Sequence, residues 1–202
     1  MPTTSQRPFT VRGTPARILD AAERIVQARG FNAFSYGDVA AELSITTAAL
    51  HYHYPRKAEL GTALIRRYAA RCASRLMALD EAADGTKSKI DSYVGIYVNA
   101  ITQGRMCLCG MLAAEYLTLP ADMQAAVRDY FEQNEAWLGR VLEHGRAEGA
   151  IEFAGSSGDT ARMIISGLEG AMLLSMPYRD VERFMKVATR LLGGLYPPAR
   201  AA

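Results

Sequence analysis

The sequence is poor in the features that most enzymes and exported proteins need. Its three cysteines, Cys72, Cys107 and Cys109, are odd in number and too few for a disulfide framework, so they read as reduced thiols. No apolar run approaches the roughly 20 residues of a membrane span, so no membrane partner is expected. The opening MPTTSQRPFTVRGTP lacks the apolar stretch of a secretory signal, and a cytoplasmic location is expected. No activated nucleophile, paired-acid arrangement, phosphate-binding glycine loop or metal-ligand set stands out, so no catalytic residue, metal or cofactor is expected. Strand-like alternation and internal repeats are absent too.

What is present is apolar, helical sequence. Half of the 202 residues are apolar, enough to bury a core in one ordinary domain plus a small one. The formal charge of +2 hides an imbalance: residues 1–67 hold nine Lys/Arg against five Asp/Glu, and the remainder holds fourteen against sixteen. A basic head on a mildly acidic body suits an anionic partner bound at one end.

Almost every segment after Gly13 repeats its apolar residues at three and four. Thr14 is a candidate cap for a first helix with Pro15 at its first position, Ile18, Ala22, Ile25 and Val26 form its stripe, and Gly30 ends it. Ser35 and Asp38 make a capping-box-like pair opening a second helix, and Ser44-Ile45-Thr46 makes a turn. Thr46 can cap a third helix that stops before Pro55, and Lys57 starts a longer fourth. Further helices are expected around Ile90–Ile101, over Cys107–Leu119, from Met123 to near Gly149, from a cap at Asp159, and after Pro177. The fold expected is all-α, with about nine helices. Residues 1–13 form a tail, 14–56 a three-helix head, and 57–202 a helical body.

At about 100° per residue, Leu50 and Tyr54 share the inward face of the third helix. The opposite arc presents Ala48, Ala49 and Tyr52, flanked by Thr47, His51 and His53. Two short helices joined by a tight turn commonly hold the second in the major groove of DNA. Small residues there let backbone approach base edges, while Thr and His supply hydrogen bonds. The helix N-terminus and Lys57 suit phosphate. His51 and His53 point about 200° apart and do not share a metal ion. Arg7 and Arg12 belong to a solvated tail or to an arm along the DNA.

The segment ILDAAERIVQARGFNAFSYGDVAAELSITTAALHYHYPRKAEL resembles the DNA-binding domain of the TetR/AcrR family of one-component repressors. The family pattern has a first helix ending in Gly-Phe, a second containing Val-Ala, and a Val/Ile-Ser/Thr turn. An aromatic-rich recognition helix and a Lys-x-x-Leu start to the fourth helix complete it. Ile45-Thr46, Leu50, Tyr52-His53-Tyr54, Pro55 and Lys57-Ala58-Glu59-Leu60 fit this position by position. The resemblance implies that Thr47, Ala48, Ala49, Tyr52 and His53 face the groove, and that Ser35, Thr46, His51 and Lys57 contact phosphate. Two residues depart from the pattern: Ser44 stands where the family usually has Gly, and His51 where it tends to have Tyr. If position 44 needs a positive φ, Ser costs on the order of 1 kcal/mol there.

The same resemblance implies a carboxy-terminal domain that binds a small effector and dimerises. Met106, Met111 and Tyr116, in a Cys-Leu-rich sixth-helix segment, join Tyr93, Tyr97, Trp137 and Met172 as candidate ligand-binding residues of soft and aromatic character. Cys107 and Cys109 diverge on a helix and read as small apolar residues. Ile164, Gly167, Leu168 and Ala171 of the eighth helix, with Phe184, Val187 and Leu191 of the ninth, are candidates for a two-fold four-helix interface. The expected protein is a homodimeric repressor released from a palindromic double-stranded operator by a small apolar or aromatic effector. A small helical enzyme and a helical adaptor that never meets DNA are the alternatives.

Overall fold

The computed structural model describes residues 13–82 and 85–196. Among these residues there is no strand, and the elements are nine α-helices with two single 3-10 turns. The tail expected over residues 1–13, with Arg7 and Arg12, lies outside the described residues except for Gly13.

Helix α1 (Thr14–Arg29) has Gly13 rather than Thr14 at its cap, without a side-chain bond, and Pro15 falls in its first turn. The expected cap is therefore one residue too late. Pro15 still needs no hydrogen-bond partner there, because the first N–H groups of a helix have none. Gly30 ends α1 at φ 81°, its N–H donating to the Val26 carbonyl. Helix α2 (Tyr36–Leu43) opens on a complete capping box between Ser35 and Asp38. Helix α3 (Thr47–His53) is capped by Thr46, whose hydroxyl accepts from the Ala49 N–H. Between them Ser44 adopts the left-handed conformation, φ 54° and ψ 44°. The sharp reversal that turns α3 away from α2 thus falls on a residue with a Cβ, at a steric cost.

Helix α4 (Lys57–Glu81) runs from the head into the body. Its Arg67 bonds the Ala16 carbonyl and pairs with Asp20, and Arg71 pairs with Glu23, both acids lying on α1. The body adds α5 (Thr86–Thr102), α6 (Leu108–Ala114), α7 (Ala121–Ala147), α8 (Ser157–Ser175) and α9 (Val181–Gly193). The single helix expected over Cys107–Leu119 is instead the seven-residue α6 followed by a 3-10 turn, Tyr116–Thr118. The break comes at Glu115, whose carboxylate reaches across to the head. The cap expected at Asp159 is also shifted: Ser156 caps α8, accepting from the Asp159 N–H, so Asp159 is the third helical residue. Ser156 and Asp159 repeat the hydroxyl half of the Ser35–Asp38 box, without the return bond from the cap's backbone N–H.

One continuous apolar cluster runs through head and body. Ile18, Val26, Phe34, Val39 and Leu50 fill the head, and α7 lies centrally, contributing Met123, Leu138 and Leu142. Leu50 and Leu60 are fully buried, so the inward face of α3 is fixed to α1 and α2 by packing. Truncating a side chain so enclosed typically costs about 2–5 kcal/mol.

Candidate nucleic-acid interface and effector cavity

Fastened by Leu50, α3 turns its other face to solvent. Thr47, Ala48 and His51 are exposed, Ala49 and His53 are half-buried, and Tyr52 is 83% exposed, its ring edge-on to His53. The back of the helix is held by Tyr36, whose hydroxyl donates to the Tyr54 carbonyl at 2.6 Å. Burial, with the nearby Glu59 carboxylate and Tyr54 adding to it, pushes the Tyr36 hydroxyl up to about 12, so it stays a donor. His51 Nδ1 lies 3.2 Å from the Pro55 carbonyl, and its ring lies 4.6 Å from that of Tyr36. A carbonyl can only accept, so Nδ1 carries the proton and Nε2 is left as the outward atom.

The expected phosphate-contacting residues are arranged less simply. Thr46 and Ser35 are exposed but both hydroxyls serve as caps, and Ser35 also donates to Asp38 at 2.6 Å. Lys57 departs most from expectation. Its ammonium sits 4.6 Å and 4.7 Å above the rings of Phe31 and Phe34, half-buried instead of extended into water. Desolvation there lowers its pKa, and the Glu115 and Asp38 carboxylates oppose the shift. The exposed cation that residue spacing did not single out is Arg56, which pairs only with Glu59 on its own helical turn.

In the body, Tyr93, Tyr97 and Met172 line a common cavity with Tyr68, Cys72, Ile96, Ala100, Cys107, Tyr130 and Asn134. Its free space, about 10 Å³ as swept by the centre of a water molecule, is room for about one water. Four of the seven expected ligand residues stand elsewhere. Trp137 backs the wall, its ring 5.5 Å from Tyr93 and its N–H donating to Asp80. Met106 gives its carbonyl to Gln27 of α1, Tyr116 accepts from Arg128, and Met111 is half-buried outside the lining. Tyr68, Cys72, Tyr130 and Asn134 were not singled out, because the α4 and α7 residues that meet here are some 60 positions apart in the chain.

Polar atoms lie within hydrogen-bond reach of one another around this cavity, each hydroxyl or thiol having a single proton to give to one of its neighbours at a time. Tyr93 reaches the Tyr97 hydroxyl at 3.5 Å and the Asn134 amide oxygen at 3.4 Å. Tyr97 donates to Glu169 at 3.3 Å, and the Cys107 thiol bonds the same carboxylate. Cys107 and Cys72 then meet at the Tyr130 hydroxyl, and Cys72 returns to Asn134 at 3.5 Å. Burial pushes the thiols of Cys72, Cys107 and Cys109 up, so they are neutral donors and not nucleophiles. Burial also raises the Glu169 carboxyl, against the hydrogen bonds from Cys107 and Tyr97 that favour its charged form.

Head and cavity meet through α6. Cys107, a cavity wall, caps its start, the Sγ accepting from the Gly110 N–H at 3.4 Å. Glu115, at its other end, accepts from the backbone N–H of Phe31 at 2.6 Å and of Asn32 at 3.3 Å. The carboxylate fills the space a Cβ at Gly30 would need, so this turn requires glycine on steric grounds as well as for its φ. Asn32 adds a 2.7 Å bond to Thr118.

Comparison with known proteins agrees with this arrangement. The family model for bacterial regulatory proteins of the tetR family matches residues 18–64, the span of α1 to mid-α4. A TetR transcriptional regulator from Legionella pneumophila is 32% identical, with 93% of this chain and 100% of that one covered, at a TM-score of 0.85. This protein belongs to the TetR family. A TetR-family regulator from Agrobacterium tumefaciens superposes at a TM-score of 0.88 with 26% identity, over 91% of this chain and 97% of that one. The HTH-type transcriptional regulator CymR of Pseudomonas putida is 21% identical over 183 residues, 89% of this chain and 87% of the relative. The head is thus the helix-turn-helix of a TetR-family DNA-binding transcriptional regulator. No described helix is long and apolar enough to cross a membrane.

Proposed function

We propose that this TetR-family protein is a homodimeric repressor that leaves a near-palindromic operator when a small effector enters the body cavity. The observation that carries the reading is the double duty of α6, which borders the cavity at Cys107 and holds the head loop at Glu115. A ligand that moves one end moves the other. Thr47, Ala48, Ala49, Tyr52 and His53 form the groove-facing set, with His51 Nε2, Thr46 and Ser35 towards phosphate. Lys57 reaches phosphate only by leaving its two rings, so Arg56 is the readier cation.

We place the dimer face on α8 and α9, as expected, but on their outer residues. Ile164, Leu168, Ala171 and Phe184 are buried within the chain, and Gly167 lets Leu191 of α9 pack against α8. These residues join α8 to α9 inside one protomer. The apolar residues left outside on the same helices are Met163, Leu173, Leu174 and Met185, with Val187 from the expected set. Two copies meeting along this face would set recognition helices in successive major grooves, about 34 Å apart. The deciding experiment selects fragments of sheared genomic DNA on the protein and footprints them. A protected site of two-fold symmetry is expected, and no protection at any salt concentration would refute the proposal.

A further inference from the structure

The chemistry of the effector can be read from the cavity, granted the regulator reading above. We infer that it is a small organic cation, an amine carried as ammonium, whose positive centre is taken by Glu169 and the surrounding tyrosine rings. Glu169 does not itself line the cavity: partly buried on α8, it stands one hydrogen bond behind the wall, and its partners are the neutral lining groups Tyr97 and Cys107. Among the described residues no Lys, Arg or His forms an ion pair with it. A carboxylate held away from water without a countercharge is costly, and it is satisfied most fully by a cation with N–H donors or a diffuse positive charge.

The walls agree in kind. Tyr68, Tyr93, Tyr97 and Tyr130 present four rings to the cavity, and aromatic faces attract ammonium groups most strongly where water is excluded. No cationic side chain lines it. Arg71 lies outside the cavity, paired with Glu23 and 5.8 Å from the centre of the Tyr68 ring, so Tyr93, Tyr97 and Tyr130 are the rings left for a ligand, and Arg75 is exposed. An anionic effector would meet Glu169 with nothing to offset it. A neutral one would leave the carboxylate as it found it.

The hydrogen bonds that ring the cavity are slack. Oxygen-to-oxygen distances of 3.3–3.5 Å at Tyr93, Tyr97 and Glu169 exceed the usual hydroxyl value of about 2.8 Å, so an entering donor displaces them readily. An ammonium that replaces Tyr97 and Cys107 as partners of Glu169 frees Cys107, which caps α6. Binding and release of the head then follow from one event. The walls must part for anything larger than a water, and Met172 is the pliant member among them.

Benzylammonium, benzyl alcohol and benzoate share a body and differ in charge, and so separate the cases. Trp137, the sole tryptophan and in ring contact with Tyr93, reports their binding by fluorescence, with calorimetry as the second readout. Benzylammonium is expected to bind at least tenfold more tightly than the alcohol, and benzoate not at all. Glu169→Gln should erase the preference for the ammonium. If Glu169→Gln fails to fold by circular dichroism, Glu169→Asp takes its place and should weaken the preference several-fold. Equal or tighter binding of the alcohol or benzoate, an ammonium preference that survives Glu169→Gln, or no binding of benzylammonium by the folded protein would each overturn the inference. Operator footprinting of the same preparation is independent of these titrations, so a failure of the cation leaves the regulator reading standing and the reverse holds equally.

Discussion

At the scale of single residues, the head holds one strained position and one open one. Ser44 sits at φ 54° where a Cβ crowds the backbone, and this was the residue whose departure from the family pattern drew attention in the sequence. Ser44→Gly relieves the strain but gives the unfolded chain more freedom, so a net gain of a few tenths to about 1 kcal/mol is expected in urea unfolding. Ser44→Val, whose branched Cβ suits this region worst, should lower stability by more than that. Tyr52 makes the opposite case. At 83% exposure it contributes little to folding, so Tyr52→Ala should leave the melting temperature unchanged while weakening operator binding roughly tenfold to a hundredfold, read by fluorescence anisotropy. Glu169 makes stability depend on pH. Its carboxyl, raised by burial, holds a proton in the folded state at pH values where the unfolded chain has lost it. Its contribution is therefore fully present below the ordinary carboxylate range and is lost as pH rises through and above that range. Glu169→Gln should flatten this decline in denaturant midpoints measured from about pH 4 to about pH 8.

At the scale of elements, α6 carries the connection between the two halves of the chain. Removing its hold on the head with Glu115→Ala leaves the N–H groups of Phe31 and Asn32 without their charged acceptor. A loss of about 1–3 kcal/mol in stability is expected, together with a smaller change of operator affinity on adding effector, which titrations with and without ligand would measure. Short-range signals made the head legible in advance: the capping box at Ser35–Asp38, Gly30, the Thr46 cap and the inward Leu50 all lie within four residues of what they act on. The cavity was legible only in part. Tyr93, Tyr97 and Met172 were found because aromatic and soft residues favour such walls, but Asn134 and Tyr130 carry no mark that separates them from the rest of an amphipathic α7. Several of the residues expected at the dimer interface also pack within the chain. Helical periodicity finds the apolar stripe of α8 without saying whether α9 of the same chain already covers it, and Gly167 against Leu191 shows that it does.

At the scale of the whole molecule, the proposed dimer covers the apolar residues on the outer side of α8 and α9 with a second copy. Leu174 is 66% and Met163 54% exposed, spaced along one side of α8, and neither contributes to the internal core. A Met163→Glu, Leu174→Glu double variant is expected to stay folded by circular dichroism but to sediment as a monomer, where the parent sediments as a dimer. Its affinity for a full operator should fall with it, while a half-site is bound as weakly as before, because one head alone contacts only half the sequence.

The head touches the rest of the molecule at few places beyond α4. Glu115 grips the turn after α1, Gln27 bonds the Met106 carbonyl, and Asn32 meets Thr118. None of these contacts involves α3, and none involves the far wall of the cavity. On the function proposed above, what a cell senses and which gene it controls are therefore written on separate surfaces that share, beyond α4, only a small coupling joint. Chimaeras that exchange residues up to α4 with those of a relative should keep their responsiveness provided the partners of Gln27, Asn32 and Glu115 travel with the joint, which makes this chain a chassis for rewired genetic circuits.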